Sequence, residues 1–294
     1  MEYIESGFFM NKVSFFDNRL LKKFWQIFSV IGGIVSFFLL FWDIPKKYKI
    51  NFLAVTLVIL LVYYVIAWIF AKRQKRVTLK FGESNVDVYF GDIFQSKKDD
   101  LKVISFNEYF DTKMDEQTQI ISPGTINGKF IEKNKENIFE LDEIFEKDVH
   151  LNEKMFINID NERKIGKKKR YHLGALVKLP DNYLAVAGSK FDKDNKANIS
   201  MREYIGFLLT FWSEVDRIYN NQSVVIPVFG SGVLRFTDGY AGATSQELLE
   251  IIIWTFKISR IKIAYPSRIK IVVFKNQSDM YNLYKLKEIE RDGL

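Results

Sequence analysis

Two long stretches of the chain carry no charged residue: Phe24 to Trp42, 19 residues, and Ile50 to Ala71, 22 residues. As helices they would measure roughly 28 Å and 33 Å at 1.5 Å per residue. A bilayer's hydrocarbon core is about 30 Å thick. Seven residues, Asp43 to Lys49, with Pro45 among them, separate the two runs. The pattern predicts a helical hairpin that crosses a membrane and returns. Trp25 and Trp42 bracket the first run and Trp68 lies near the end of the second, as expected of rings that favour the headgroup level. A cleaved signal peptide fits poorly, because Phe-Trp-Asp-Ile-Pro offers no small-residue cleavage site. Two buried core helices are the competing reading, and uncharged runs of this length argue against it.

Ahead of the first run, Phe9, Val13, Phe16, Leu20 and Phe24 recur every three or four residues. This stripe predicts a helix that lies on the membrane surface or continues into the first span. Within that span, Ser29/Gly33 and Gly32/Ser36 have the small-xxx-small spacing that lets helices approach closely. Their partner would be the second helix or another copy of the chain.

From Val77 onward the pattern shortens and alternates. Val77–Phe81, Val86–Phe90, Lys102–Phe106, Tyr171–Leu179, Tyr183–Ala187, Val224–Val228 and Ile269–Phe274 read as strands. Leu141–Lys147 and Ser200–Tyr219 have helical spacing, and Thr244 opens a helix with a capping box to Glu247. Strands alternating with helices, and continuous apolar strand cores, predict a mixed, mostly parallel sheet flanked by helices. The expected organisation is a membrane segment over 1–76, with spans at about 24–42 and 50–71, and an α/β domain over 77–294. The charged stretch from Glu132 to Lys169 reads as an insertion with one helix, and Lys167-Lys168-Lys169-Arg170 as a solvated loop.

Charge sharpens this division. The chain carries a net +7, and residues 1–76, with eleven basic and four acidic residues, account for all of it. Lys22 and Lys23 precede the first run; Lys72, Arg73, Lys75 and Arg76 follow the second. Lys46, Lys47 and Lys49 in the loop weaken the asymmetry. The cluster leading into the α/β domain still favours both termini on the cytoplasmic side. A net-neutral α/β domain lowers the case for a nucleic-acid partner. There is no Cys, and His150 and His172 are the only histidines. Disulfides, cysteine nucleophiles, cysteine zinc sites and a three-His zinc centre are therefore excluded, and no metal is expected.

Three strand ends carry residues suited to a ligand. After Val86–Phe90 comes Gly91-Asp92-Ile93; Asp92 could accept from an exocyclic amine, although Gly-Asp is also a plain turn. After Lys102–Phe106 come Asn107-Glu108-Tyr109-Phe110 and then a loop with Gly124 and Gly128. Glycine there lets backbone amides approach a phosphate or ribose, or serves a surface turn. After Val224–Val228 comes Phe229-Gly230-Ser231-Gly232-Val233-Leu234-Arg235. Its consecutive amides could form an anion nest, with Arg235 adding a bidentate contact. No Gly-Lys-Ser/Thr follows, so it is not a Walker A loop. Ligands of open α/β sheets bind outside the carboxyl ends of strands.

In this order, the three motifs resemble the macro domain over about residues 77–276. The resemblance implies an ADP-ribose-type ligand. It places Asp92 at the adenine amine, the Ile93 amide nearby, Asn107 at the distal ribose, Gly124 and Gly128 in the first loop, and Gly230, Ser231, Gly232, Val233 and Leu234 around the diphosphate. Phe229 and Arg235 flank that second loop. The first loop lacks the family's triple glycine, its second Asn falls on Phe110 and a later loop glycine on Arg235; these departures argue against ADP-ribosyl hydrolysis. Two spans followed by this divergent domain, with Asn-Glu-Tyr-Phe-Asp-Thr and Phe-Gly-Ser-Gly, resemble the membrane-anchored macro (TM-macro) effectors of the type II Thoeris anti-phage systems. That resemblance implies a non-enzymatic effector at the bacterial inner membrane that works as a homo-oligomer. It implies a TIR-domain partner that converts NAD into a diffusible signal of the histidine–ADP-ribose type. Binding of that signal by the macro domain would lead to disruption of the lipid bilayer and abortive infection. The alternatives are a membrane-tethered ADP-ribosyl hydrolase, with Glu108 or Asp111 as base, and a passive ADP-ribose reader. Tyr109, Phe110 and Phe229 could stack on a ligand or belong to the core.

Overall fold

The computed structural model describes residues 11–42, 44–114, 120–232 and 234–292. Phe9 of the apolar stripe, Asp43 of the hairpin loop and Val233 of the last candidate loop lie outside the described residues. The chain divides into two compact units: one holds the N-terminal hairpin up to Lys75 and takes in Ser278–Tyr284, the other is Arg76–Gln277 with the chain from Lys285 on.

In the first unit, α1 covers Asn18–Leu39 and α2 covers Lys46–Lys72. Both are long and apolar enough to cross a membrane. Their most apolar windows are only 6% and 11% buried, the reverse of what a soluble core helix shows. Of the predicted stripe, Leu20 and Phe24 belong to α1, while Val13 and Phe16 lie ahead of it and are not helical. Asp17 caps α1, accepting from the Arg19 amide at 3.0 Å, and the residues before it wrap the carboxyl end of α2. The Asn11 amide nitrogen donates to Lys72 O at 2.8 Å, and its side chain to Ala71 O at 3.0 Å and Gln74 O at 2.6 Å. A helix leaves its last carbonyls without internal partners, and Asn11 supplies them. Trp68 Nε1 donates to Val13 O at 3.2 Å and the Tyr64 hydroxyl to Phe15 O. The apolar periodicity therefore recorded contacts with α2: Val13 and Leu20 are buried beside Tyr64 and Ala71, whereas Phe16 is 73% exposed. Gly32 and Gly33 of α1 do not meet α2, since a Cβ on either would have nothing within 4 Å.

The second unit contains strands β1 (Arg76–Phe81), β2 (Ser84–Gly91), β3 (Leu101–Asn107), β4 (Phe156–Ile159), β5 (Lys169–Tyr171), β6 (Leu176–Leu179), β7 (Tyr183–Phe191), β8 (Ala197–Ile199), β9 (Val224–Pro227), β10 (Arg235–Phe236) and β11 (Ile269–Phe274). Its helices are α3 (Ile126–Lys133), α4 (Ile138–Lys147), α5 (Val149–Lys154), α6 (Met201–Ile218), α7 (Ser245–Ser259) and α8 (Leu286–Asp292). The main sheet runs β1-β2-β11-β9-β3-β7-β8-β10, with β6 also on β7. Its centre, β2-β11-β9-β3-β7, is parallel throughout. The mixed, mostly parallel sheet flanked by helices is thus present.

Strand alternation divides the core between the two faces. Ile104, Phe106, Ala185 and Ala187 pack under α3, α4 and α5 with Phe130, Leu141 and Phe145, while a Cβ on Gly188 would meet Ser105 Oγ at 2.2 Å and Phe207 of α6 at 3.7 Å. Both α6 and α7 open with full capping boxes, Ser200/Glu203 and Thr244/Glu247. Each box satisfies backbone donors that the first turn leaves unpaired.

Two expectations fail here. The predicted single strand Tyr171–Leu179 is two strands, β5 and β6. Gly174 breaks it, with φ +92° and its Cβ position only 2.6 Å from Thr210 Cβ. The insertion with one helix carries α4, α5 and the β4–β5 hairpin besides the end of α3.

On β2, Asp87 is fully buried and bonded to Thr78 at 2.6 Å, to Arg268 at 2.9 Å and to Arg76. Burial works to raise its carboxyl; the three donors outweigh it and hold it below the ordinary 3.8. The stabilisation is therefore complete above pH 3.8 and is lost as the pH falls through the lowered native value. Thermal unfolding followed across this acid range should show that loss, and Asp87→Asn should flatten that part of the profile.

Candidate functional site

Because β2, β11, β9, β3 and β7 are parallel, Gly91, Phe274, Pro227, Asn107 and Phe191 end at one edge of the sheet. The three motifs singled out in the sequence therefore converge there, in the crevice position usual for open α/β sheets.

Asp92 opens a short 3-10 turn, Ile93–Gln95, and its Oδ1 accepts from the Phe94 amide at 3.0 Å. Ile93 is buried with Val225 and Val272, packed against Tyr89, Phe94 and Ile126. Ile126 begins α3, so the first glycine loop and the Asp92 turn share one apolar base. Thr125 caps α3 by accepting from the Gly128 amide at 3.0 Å. A Cβ on Gly128 would lie 2.2 Å from Ser122 O. That glycine serves the close approach of the helix to its own loop. Gly124 has open space at its Cβ position. Asn127 holds a buried side-chain oxygen with no hydrogen-bond partner among the described residues.

In the second loop, Phe229 is buried against Phe207 and Phe211, with ring centroids 5.2 and 5.3 Å away. Its carbonyl accepts from the Tyr204 hydroxyl at 2.8 Å, so its ring is core. Gly230 has φ +82°, a conformation that glycine adopts without strain. The Ser231 hydroxyl donates to Val228 O at 2.8 Å. Gly232 is exposed and open at its Cβ position, and Leu234 is half-buried. Arg235 belongs to β10, paired with Asn198 of β8, and its side chain is exposed.

Asn107 is committed internally. Its side-chain oxygen accepts from the Tyr109 amide at 3.0 Å and the Asp111 amide at 3.3 Å, and its nitrogen donates to Asp111 at 2.8 Å. It stabilises the turn that places Phe110 at φ +50°, inside the core and stacked on Phe145 at 4.8 Å.

The stretch beyond Asn107 holds what the sequence reading missed. Glu108 and Asp111 are 1% and 2% exposed. Asp111 receives Arg163 Nη2 at 2.6 Å, Arg163 Nη1 at 3.3 Å and the Lys167 amide at 2.7 Å. Glu108 receives Arg170 Nε at 2.8 Å and the Phe191 amide at 3.3 Å. Burial pushes the Glu108 carboxyl up, against the pull of Arg170. Arg163 also lies 3.8 Å over the Tyr109 ring, whose hydroxyl donates to Asp160 at 2.9 Å. Burial, that bond and nearby Glu108 push the phenol up to about 12, so it stays a donor. Lys167 Nζ reaches Asp142 at 2.6 Å and Phe110 O at 2.8 Å, and Lys169 sits in β5 with Glu146 as partner. Of the predicted solvated loop at 167–170, Arg170 is thus the counter-charge of buried Glu108 and the Lys167 amide a donor to buried Asp111, as buried carboxylates require. The Lys167 and Lys169 side chains pair with the more exposed Asp142 and Glu146, and Lys168 is exposed.

Among the described residues no His, Asp and Glu cluster could hold a metal. His150 lies 3.1 Å from Glu214, far along the chain from the three loops.

A mostly parallel sheet between helices, with three backbone loops at its carboxyl edge, is a macro-type architecture, here following a two-helix apolar hairpin. The family model for the macro domain of Thoeris protein ThsA matches residues 86–274. Thoeris protein ThsA of Bacillus amyloliquefaciens (strain Y2) is 38% identical over 273 residues, covering 92% of this chain and 89% of that protein. The chain belongs to the Thoeris ThsA family. Among solved structures, the Oceanobacillus iheyensis macrodomain with ADP aligns at 13% identity and a TM-score of 0.40, over 73% of this chain and 96% of that one. The same macrodomain with MES bound aligns at 11% identity and 0.45, over 73% and 94%.

Proposed function

We propose that the chain is the membrane effector of its Thoeris system. In this reading the macro unit binds an ADP-ribose-type signal, the histidine–ADP-ribose conjugate made from NAD by a TIR-domain partner. Binding then drives rearrangement of a homo-oligomer at the inner membrane, with both termini cytoplasmic. The observation that carries the reading is the convergence of Asp92, the Gly124 loop and the open Gly232 loop on one sheet edge. Backbone amides that can approach closely suit a diphosphate, and Asp92 suits the adenine amine.

The non-enzymatic reading draws support from the two acids that a hydrolase would need. Glu108 and Asp111 are buried and already engaged in internal ion pairs with Arg170 and Arg163, a structural use of both acids that competes with general-base work. Only three residues, 73–75, link α2 to β1, and Arg76 pairs in register with Tyr89 at the pocket end of β2. A short connection of this kind lets a ligand that prefers one arrangement bias the hairpins. A two-helix hairpin has too few walls for a pore, so several copies must assemble; the open Ser29, Gly33 and Ser36 face suits close packing.

Full-length protein in dye-loaded liposomes tests the reading. Histidine–ADP-ribose should release dye and shift the assembly state. Binding of the conjugate without either change would overturn the mechanism.

A further inference from the structure

The first unit contains a cavity of about 600 Å³ that the ligand reading does not use. That size lies in the range of ordinary ligand sites, roughly 300–1,000 Å³. Its apolar wall comes from Leu20 and Phe24 of α1 and Ala67 and Phe70 of α2. Its polar wall comes from Lys23, Arg73 and Tyr284. Lys23 immediately precedes the uncharged run that starts at Phe24, and Arg73 follows the run that ends at Ala71. Both cations therefore stand at the same end of the hairpin, where hydrocarbon gives way to headgroups. Trp25 and Trp68, neighbours in sequence of these lining residues, suit that depth. The Lys23 ammonium lies 4.9 Å over the Tyr284 ring, on the segment that returns from the end of the α/β fold to pack in this unit.

We propose that this cavity is a binding site for an anionic phospholipid of the surrounding bilayer. An acyl chain would lie along Phe24, Ala67 and Phe70, on the hydrocarbon side of the two cations. The phosphate would meet Lys23 and Arg73, as basic pockets between membrane helices meet acidic headgroups. The apolar wall is what singles out a lipid over a soluble anion, since a free phosphate has nothing to place there. The inference rests on the reading that the hairpin spans a membrane.

The test uses full-length protein in nanodiscs of equal phosphatidylglycerol and phosphatidylcholine, with co-released lipids counted by native mass spectrometry. Phosphatidylglycerol should be enriched over phosphatidylcholine by on the order of fivefold per cation. Lys23→Ala with Arg73→Ala should return the ratio to that of the bulk lipid, with helical content unchanged. Lys46→Ala with Lys47→Ala, at the other end of the hairpin, should leave the enrichment intact. Equal retention of both lipids, enrichment that survives the Lys23/Arg73 pair, or complete displacement by inorganic phosphate would overturn the proposal. Alkaline carbonate extraction of membranes separates the two claims. Release of the chain defeats the spanning reading and the lipid site together; retention without enrichment defeats the lipid site alone.

Discussion

Gly232→Glu should leave the macro unit folded and weaken binding of an ADP-ribose-type ligand by at least about 100-fold. Gly232 is exposed, its Cβ position meets nothing within 4 Å, and its φ lies outside the left-handed region. A larger side chain there costs the fold little. If the loop wraps a diphosphate, the new carboxylate faces that charge at close range. Like-charge juxtaposition of this kind costs several kcal/mol, and about 2.8 kcal/mol already corresponds to 100-fold. Calorimetry together with a thermal melt separates the two effects. A variant that melts with the parent protein and binds as well as it would remove the second loop from the site.

Arg163→Ala should be the most destabilising single change in the β4–β5 hairpin, by roughly 3–5 kcal/mol. The Arg163 side chain is 6% exposed and pairs with Asp111, itself 2% exposed. Removing the guanidinium leaves Asp111 with the Lys167 amide and Asn107 as its close donors among the described residues. A buried charge without its counter-charge carries that penalty in full, and the Tyr109 ring loses the cation above it. For a unit of this size the melting temperature should fall by about 6–20 °C. Arg163→Lys should recover only part, because a point charge cannot reproduce two guanidinium bonds. A loss below about 1 kcal/mol would show that the pair contributes little.

The hairpin of long helices was legible because a span is long and a single rule, the absence of charge, governs it. The strands that end at the site were legible too: Val224–Ile226 of β9 and Ile271–Phe274 of β11 are continuous apolar runs, β2 and β3 are mostly apolar around Asp87 and Lys102, and Thr244 announced α7 through its capping box. The losses have physical causes. At Tyr171–Leu179 the residues suit a strand throughout, and only the space beside Thr210 forces the turn at Gly174. Strands β8 and β10, of three and two residues, are too short to show a period. Val13 and Leu20 were apolar for contact with α2, and Asp17 as a cap outranked the spacing.

The site was legible in part. Convergence of the three loops follows from strand direction, which the alternating pattern implied. The inward commitment of Asn107 does not, since an amide at a strand end looks the same whether it faces a ligand or its own turn. Nor does the pairing of Glu108 and Asp111 with Arg170 and Arg163, which lie 62 and 52 residues on. One signal was available: acids interleaved with Tyr109 and Phe110 at the end of a buried strand must themselves be buried. They then need cations, and Arg170 of the basic run supplies one, whereas Arg163 lies outside that run.

The central claim is that the macro unit is a receptor for an NAD-derived signal. Calorimetry of the full-length protein in detergent tests it most directly, with ADP-ribose, NAD, cyclic ADP-ribose and histidine–ADP-ribose as ligands and Asp92→Ala and Gly232→Glu as controls. The account predicts tight binding of the histidine conjugate, at least tenfold weaker binding of the others, and loss in both variants. Equal binding of plain ADP-ribose, or no binding by any of the four, would contradict it.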